Sequence, residues 1–156
     1  MSEATLRLST DAGEMDVDAI HAYLAGESYW ARGIPRDVVA RAVRNSVCVG
    51  VFDRDAQVAF ARVVTDRATF AYLCDVYVLE SHRGRGIGKR MMEAVDAHPE
   101  LRGLRRWSLV TKDAHGLYGR FGWTPVDRPE RFMERTDPDV YTRAATSDSA
   151  PSGQSE

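Results

Sequence analysis

The stretch from Asp75 to Val95 reads Asp-Val-Tyr-Val-Leu-Glu-Ser-His-Arg-Gly-Arg-Gly-Ile-Gly-Lys-Arg-Met-Met-Glu-Ala-Val. It passes from an alternating apolar strand into an amphipathic helix through a turn made of glycine and arginine. Such a stretch fixes a strand, a tight turn and a helix start in that order, and the rest of the chain must fold around them. Gly84, Gly86 and Gly88 carry no Cβ, so successive N–H groups can converge on one anion at the helix start, where the macrodipole also favours negative charge. Arg83, Arg85, Lys89 and Arg90 surround that point with cations. The turn is therefore suited to hold phosphate at a sheet edge.

Two familiar phosphate-binding patterns do not fit. The dinucleotide fingerprint Gly-x-Gly-x-x-Gly needs unequal spacing and a βαβ unit, whereas these glycines are two apart throughout and follow a meander of strands. A nucleotide-triphosphatase loop needs Ser or Thr after its lysine, and Lys89 is followed by Arg90. The whole chain has 156 residues and a formal net charge of −2, which argues against a general nucleic-acid binder, so the cations around residues 83 to 90 are a local feature. Cys48 and Cys74 lie in strand-like runs without metal-ligand spacing and read as small core residues; no metal is implied. No run approaches membrane-spanning length and no apolar signal segment opens the sequence, so the expected compartment is the cytoplasm, with no membrane partner.

Periodicity gives the remaining elements. Thr5 to Ser9 is a strand; Asp16 to Ala25 a helix with Val17, Ile20 and Leu24 on one face and Gly26 as its stop; and Pro35 opens a second helix carrying Val38, Val39, Ala42 and Val43. Ser46 to Asp53, Gln57 to Thr65 and Thr69 to Val78 are three consecutive antiparallel strands. After the glycine turn come a helix ending before Pro99, a strand from Arg106 to Thr111, a short helix from His115 to Phe121, and a final strand pair at Trp123 to Val126 and Phe132 to Arg135. The predicted order is β-α-α-β-β-β-α-β-α-β-β: α/β class, with a mixed, mostly antiparallel central sheet flanked by helices. Residues 1–143 are read as one domain and 144–156, rich in serine, as a disordered tail.

The strand Val76-Tyr77-Val78, the turn Arg83-Gly84-Arg85-Gly86-Ile87-Gly88-Lys89, the downstream segment Leu117-Tyr118-Gly119-Arg120-Phe121-Gly122-Trp123 and this element order together resemble the GNAT superfamily of acyl-CoA-dependent N-acyltransferases. The resemblance implies an enzyme that moves an acetyl group from acetyl-CoA to a primary amine on a small molecule or peptide. It also implies that Val76, Tyr77 and Val78 pair with the pantetheine arm, that Arg83, Gly84, Arg85, Gly86, Ile87, Gly88 and Lys89 hold the diphosphate, and that Tyr118 serves the departing thiolate. A free tyrosine near pKa 10 and a thiol near 8.5 differ by about 1.5 units, so full proton transfer is uphill by about 2 kcal/mol and Tyr118 is expected to donate a hydrogen bond first.

Thr111 stands where family members often carry an asparagine, and Asp113 and His115 read as a helix cap and a surface imidazole. Asp75, Glu80 and Glu27 are candidate bases, with Asp75 preferred. Tyr29 and Trp30, on the loop between the first two helices, are candidate acceptor-binding residues and suit an acceptor with an apolar or planar portion. A non-catalytic acyl-CoA-binding or sensing module is the alternative, and a homodimer is left open.

Overall fold

The protein is described here from a computed structural model covering residues 5–143. The expected tail at 144–156 lies outside the described residues. Five strands, β1 (Leu6–Ser9), β2 (Val47–Asp53), β3 (Ala56–Thr65), β4 (Phe70–Val78) and β5 (Arg106–Leu109), form one sheet in sequence order. The first four are antiparallel, and β5 runs parallel to β4. A parallel neighbour requires a crossover, and helix α3 (Ile87–Ala97) supplies it. Helices α1 (Val17–Gly26) and α2 (Arg36–Arg44) cover the opposite face, and the short α4 (His115–Gly119) follows β5.

The sheet separates two cores, because β2 and β3 are buried on both faces. On the α3 side, Val49, Val51, Ala61, Val63 and Leu73 meet Ile87, Met91, Met92 and Val95. On the other side, Ile20 and Leu24 of α1 and Val39 and Val43 of α2 meet Cys48, Phe60 and Tyr77. Each of these large side chains contributes about 1.5–3 kcal/mol by leaving water, so the apolar faces of α1 and α2 hold both helices in place. Asp16 caps α1 by accepting from the Ala19 N–H at 3.1 Å. The chain turns between α1 and α2 at Gly33, whose φ is +78°, while Gly26 stays within the helix instead of stopping it. Pro35 sits just ahead of α2.

One irregularity shapes everything that follows. Between β3 and β4 the register runs Ala59 to Val78 and Phe60 to Tyr77, then resumes as Arg62 to Cys74, so Asp75 and Val76 together oppose Ala61. This is a β-bulge, and Asp75 adopts a φ of +53°, unusual for a residue other than glycine. The extra residue reverses the side-chain alternation: Ala71 and Leu73 face α3 before it, Val76 and Val78 after it.

The expected final strand pair is a correction. Trp123 to Val126 and Phe132 to Arg135 form no ladder; Pro125 cannot donate, and Pro129 opens a 3-10 turn, Pro129–Arg131, between the two segments. Phe132 instead lies against the Arg106 guanidinium, 5.0 Å from its ring centre. The predicted β5 also ends two residues early, at Leu109, and α4 ends at Gly119 instead of Phe121.

Candidate active site

The parallel pairing of β4 with β5 covers only Phe70 to Leu73 against Arg106 to Leu109. Beyond the bulge, Cys74 to Val78 has no strand on that side, so the two strands part. The Leu79 N–H donates to Val58 O at 2.8 Å across the β3 side. By alternation, Tyr77 also turns its main-chain groups to β3, while Val76 and Val78 turn theirs to the opened side. Val78 O is taken there by Arg83 Nε at 2.9 Å, which leaves the Val78 N–H and both groups of Val76 facing the cleft. Tyr77 differs from its neighbours in side chain too: its ring is buried and stacked on Tyr23 at 3.9 Å, and burial pushes its phenol well above the usual range. Of the expected trio, only the two valines present their backbone to the gap.

The glycine turn follows directly. Gly84 and Gly86 have φ of +78° and +75°, and Gly86 precedes α3 with no side chain capping the helix start. No acidic residue occupies the first turn of α3 either. Those N–H groups therefore remain available for an external anion. Gly88 is different: it lies inside the helix, and a Cβ there would meet only Leu117, at 3.9 Å. Arg85 reaches back to Ser81 O at 3.5 Å, and Arg83 also approaches the Tyr23 hydroxyl at 3.4 Å. Lys89 is exposed. Ahead of the turn, His82 Nε2 lies 2.7 Å from Asp53 Oδ2, tying this segment to the end of β2, and that contact holds the Asp53 carboxyl below the usual range.

A cavity of about 280 Å³ opens where β4 and β5 separate, and Leu109, Thr111 and Tyr118 line it together with Val76. Tyr118 is 8% exposed and packs edge-on against Trp123 at 6.1 Å. Among the described residues its hydroxyl has no hydrogen-bond partner, and burial raises its pKa, so the phenol keeps its proton at neutral pH and can donate it as a hydrogen bond. A larger cavity of about 410 Å³ lies on the outer side of β5, between Trp107, Trp123 and Pro125. The smaller one is the better candidate site, because it alone opens on the unpaired main chain of β4.

At the other end of the gap, Asp75 accepts from Arg62 Nε at 2.8 Å through Oδ2 and from Trp30 Nε1 at 2.8 Å through Oδ1. Arg62 also donates to Ser46 Oγ at 3.2 Å. This chain of bonds fastens the loop between α1 and α2 to the bulge. Tyr29 stands edge-on to Trp30 at 5.1 Å, and both rings are exposed and line the same cavity. Cys48 and Cys74 flank Arg62 in neighbouring strands; burial raises their thiols to about 11 and about 12, so neither is a nucleophile at neutral pH. Thr111 Oγ1 accepts from the Ala114 N–H at 3.0 Å just ahead of α4, whose start carries no side-chain cap, so Asp113 does not fill the capping role expected of it. His115 is exposed and faces the outer cavity.

Residues 44–125, which run from the end of α2 through β5 and α4, match the family model described as an acetyltransferase (GNAT) domain. The chain belongs to the GNAT acetyltransferase family. A protein from Xanthomonas campestris pv. campestris, assigned to the same family, shares 52% identity and superposes with a TM-score of 0.85, over 88% of this chain and 96% of that one. A Gibberella zeae protein assigned as an acetyltransferase is 35% identical over 136 residues, covering 72% of this chain and 75% of the relative. A Clostridium acetobutylicum protein assigned as an acetyltransferase and solved with acetyl-CoA shares the fold at 18% identity and a TM-score of 0.59, over 84% of this chain and 94% of that one.

Within this GNAT fold the structure adds residues to those the sequence singled out. Arg62 and Tyr72 are not singled out in the sequence, and Asp113 reads there as a helix cap. All three lie at the Asp75 end of the gap: Arg62 anchors Asp75, while Tyr72 and Asp113 line the cavity. Arg62 lies inside an otherwise apolar strand, Val58 to Val64, and that misplaced charge was the available signal. Glu27 and Glu80 do not line the cavity. Among the described residues, no helix is long and apolar enough to cross a membrane.

Proposed function

We propose that this protein transfers an acetyl group from acetyl-CoA to a primary amine. The observation that carries the reading is the parting of β4 from β5 at the Asp75 bulge, which leaves both main-chain groups of Val76 and the Val78 N–H unpaired between an uncapped helix start and the Tyr118 cavity. A pantetheine arm has amides that need partners once water is excluded, and an open strand edge offers them. The amides of Gly84 to Lys89 would receive the diphosphate, with Arg85 and Lys89 supplying charge. Arg83 serves the same site indirectly, by holding the Val78 carbonyl.

In the reaction, the neutral amine nitrogen attacks the thioester carbonyl carbon, the new C–N bond forms, and the C–S bond breaks. The Val78 N–H, turned into the gap, would stabilise the oxyanion. Tyr118 donates a hydrogen bond to the departing sulfur, which takes up a proton as the thiol. The amine must shed protons. An amine near pKa 10.4 is neutral in only about one molecule in 2,500 at pH 7, a cost of about 4.6 kcal/mol, whereas one near 7.7 costs about 1 kcal/mol. Each Asp75 oxygen retains a lone pair beyond the bond it already accepts, so this carboxylate can hold the incoming amine and pass its proton to water in the cleft. Tyr29 and Trp30 would contact the rest of the acceptor.

The test is direct. Purified protein is mixed with acetyl-CoA and a panel of amines, and free thiol and thermal stability are followed together. Stabilisation by acetyl-CoA with amine-dependent thiol release is expected. Stabilisation without release on any amine would replace the enzyme by a binding or sensing module, a reading favoured only by Thr111, whose hydroxyl already accepts the Ala114 N–H. No stabilisation would end both.

A further inference from the structure

The walls of the cavity at the β4–β5 gap are unequal in chemistry. Three aromatic side chains, Tyr29, Trp30 and Tyr72, and two carboxylates, Asp75 and Asp113, line it beside Tyr118, and no lysine, arginine or histidine does. The nearby cations lie behind or outside these walls. Arg62 faces a separate small cavity under α1 and α2 and binds the back of Asp75. The Lys112 ammonium rests over the Tyr29 ring, 5.3 Å from its centre, which shows that this aromatic face accepts a cation. Asp113 is exposed and makes no ion pair among the described residues.

An anionic group entering this cavity would meet the unpaired Asp113 carboxylate and the Arg62-bound Asp75, with no cation on the wall and only main chain and aromatic edges as alternatives. An ammonium on an aromatic or aliphatic arm meets carboxylates and ring faces, both of which attract it. We propose that the acceptor is a small cationic amine with an aromatic or otherwise apolar arm and no anionic group. Amino acids carrying a free carboxylate and phosphorylated amino sugars are excluded by the same walls. The inference rests on the acetyl-transfer reading and names its acceptor class.

The test uses matched probes with the intact protein and acetyl-CoA: 2-phenylethylamine, L-phenylalanine and L-phenylalaninamide, with thiol release as the readout. The first is expected to exceed phenylalanine in kcat/KM by at least about tenfold, and the third to do so when rates are compared per neutral amine, since its amine is the weakest base of the three; the carboxylate is then the feature that sets phenylalanine apart from both. The comparison is demanding, since the amine of phenylalanine is the weaker base and so is neutral more often than that of phenylethylamine. Asp113→Asn, a surface change, should narrow the gap for phenylalanine while leaving acetyl-CoA stabilisation intact. Equal or faster turnover of phenylalanine, or of glucosamine 6-phosphate in parallel, overturns the acceptor class while acetyl transfer stands. Thiol release with no amine at all, neutral or charged, would overturn the transfer reading itself and this inference with it.

Discussion

The two ends of the β4–β5 gap are built from different material. At the α3 end the donors are main-chain amides, held by the positive φ of Gly84 and Gly86, and the side chains around them mostly reach outward or backward. At the Asp75 end, the proposed acceptor end, the work falls to side chains: Arg62, Asp75 and Trp30 in series, with Tyr29 and Tyr72 beside them. A backbone-built site depends on conformation and tolerates changes of side chain; a side-chain-built site depends on partners and fails when one is removed. The Asp75 bulge joins the two, since it frees Val76 and Val78 and aims the carboxylate at Trp30.

The largest effect is expected at the acceptor end. In Arg62→Met the stem is kept but Asp75, only 10% exposed, loses its charge partner. Breaking a largely buried pair by removing one member costs about 3–5 kcal/mol, which for a chain of this size lowers Tm by roughly 6–20 °C. Thermal unfolding checks it, and an unchanged Tm would mean the acceptor end is less dependent on its partners than the comparison claims. Pairing Arg62→Met with Asp75→Asn should recover part of the loss, because the uncompensated charge goes with the second change.

Tyr118→Phe comes next. The ring and its edge contact with Trp123 remain, so stability should hold, while turnover falls by about 10- to 100-fold through loss of one hydrogen bond to a developing charge. Acetyl-CoA stabilisation should not change. Turnover equal to that of the parent protein would remove Tyr118 from the reaction and leave the gap without a side-chain donor at the sulfur.

The contrast also explains which parts were legible beforehand. A backbone-built site leaves a direct trace in sequence: glycines where a positive φ is needed, a strand before, a helix after. The turn, the five strands and the three long helices could therefore be read from spacing and periodicity. Gly88 shows the limit of that reading, since a glycine in the same run turned out to be helical. The acceptor end joins residues 30, 62, 75 and 113, and no local pattern links positions that far apart; only the sheet register and the bulge bring them together. The missing final strands have another cause. The Trp123 to Val126 and Phe132 to Arg135 segments have strand-like composition, but a ladder needs a partner edge, and proline at 125 and 129 interrupts the donors.

The glycines permit a sharper test within the backbone-built end. Gly86→Ala places a Cβ on a residue at φ +75°, a cost of about 1–2 kcal/mol, and should weaken acetyl-CoA stabilisation as the turn relaxes. Gly88→Ala brings its Cβ into ordinary contact with Leu117 at 3.9 Å in a helical position, keeps its N–H, and should raise stability by up to about 1 kcal/mol with coenzyme binding unchanged. Thermal shift with and without acetyl-CoA separates them. Equal effects from the two would show that absence of side chain, not conformation, is what the turn requires.

The smallest effect expected is at Trp30. Trp30→Phe keeps an aromatic wall but removes the indole N–H that Asp75 accepts at 2.8 Å, at a site open to solvent, so the loss in stability should be about 0.5–1.5 kcal/mol. The consequence for activity should be selective. With the loop between α1 and α2 no longer fastened to the bulge, KM for the amine should rise by about three- to tenfold, while KM for acetyl-CoA, bound by main chain on the far side of the gap, stays where it was. If both constants moved together, the bond from Trp30 to Asp75 would be holding the bulge itself, and the two ends of the gap would have to be treated as one cooperative unit.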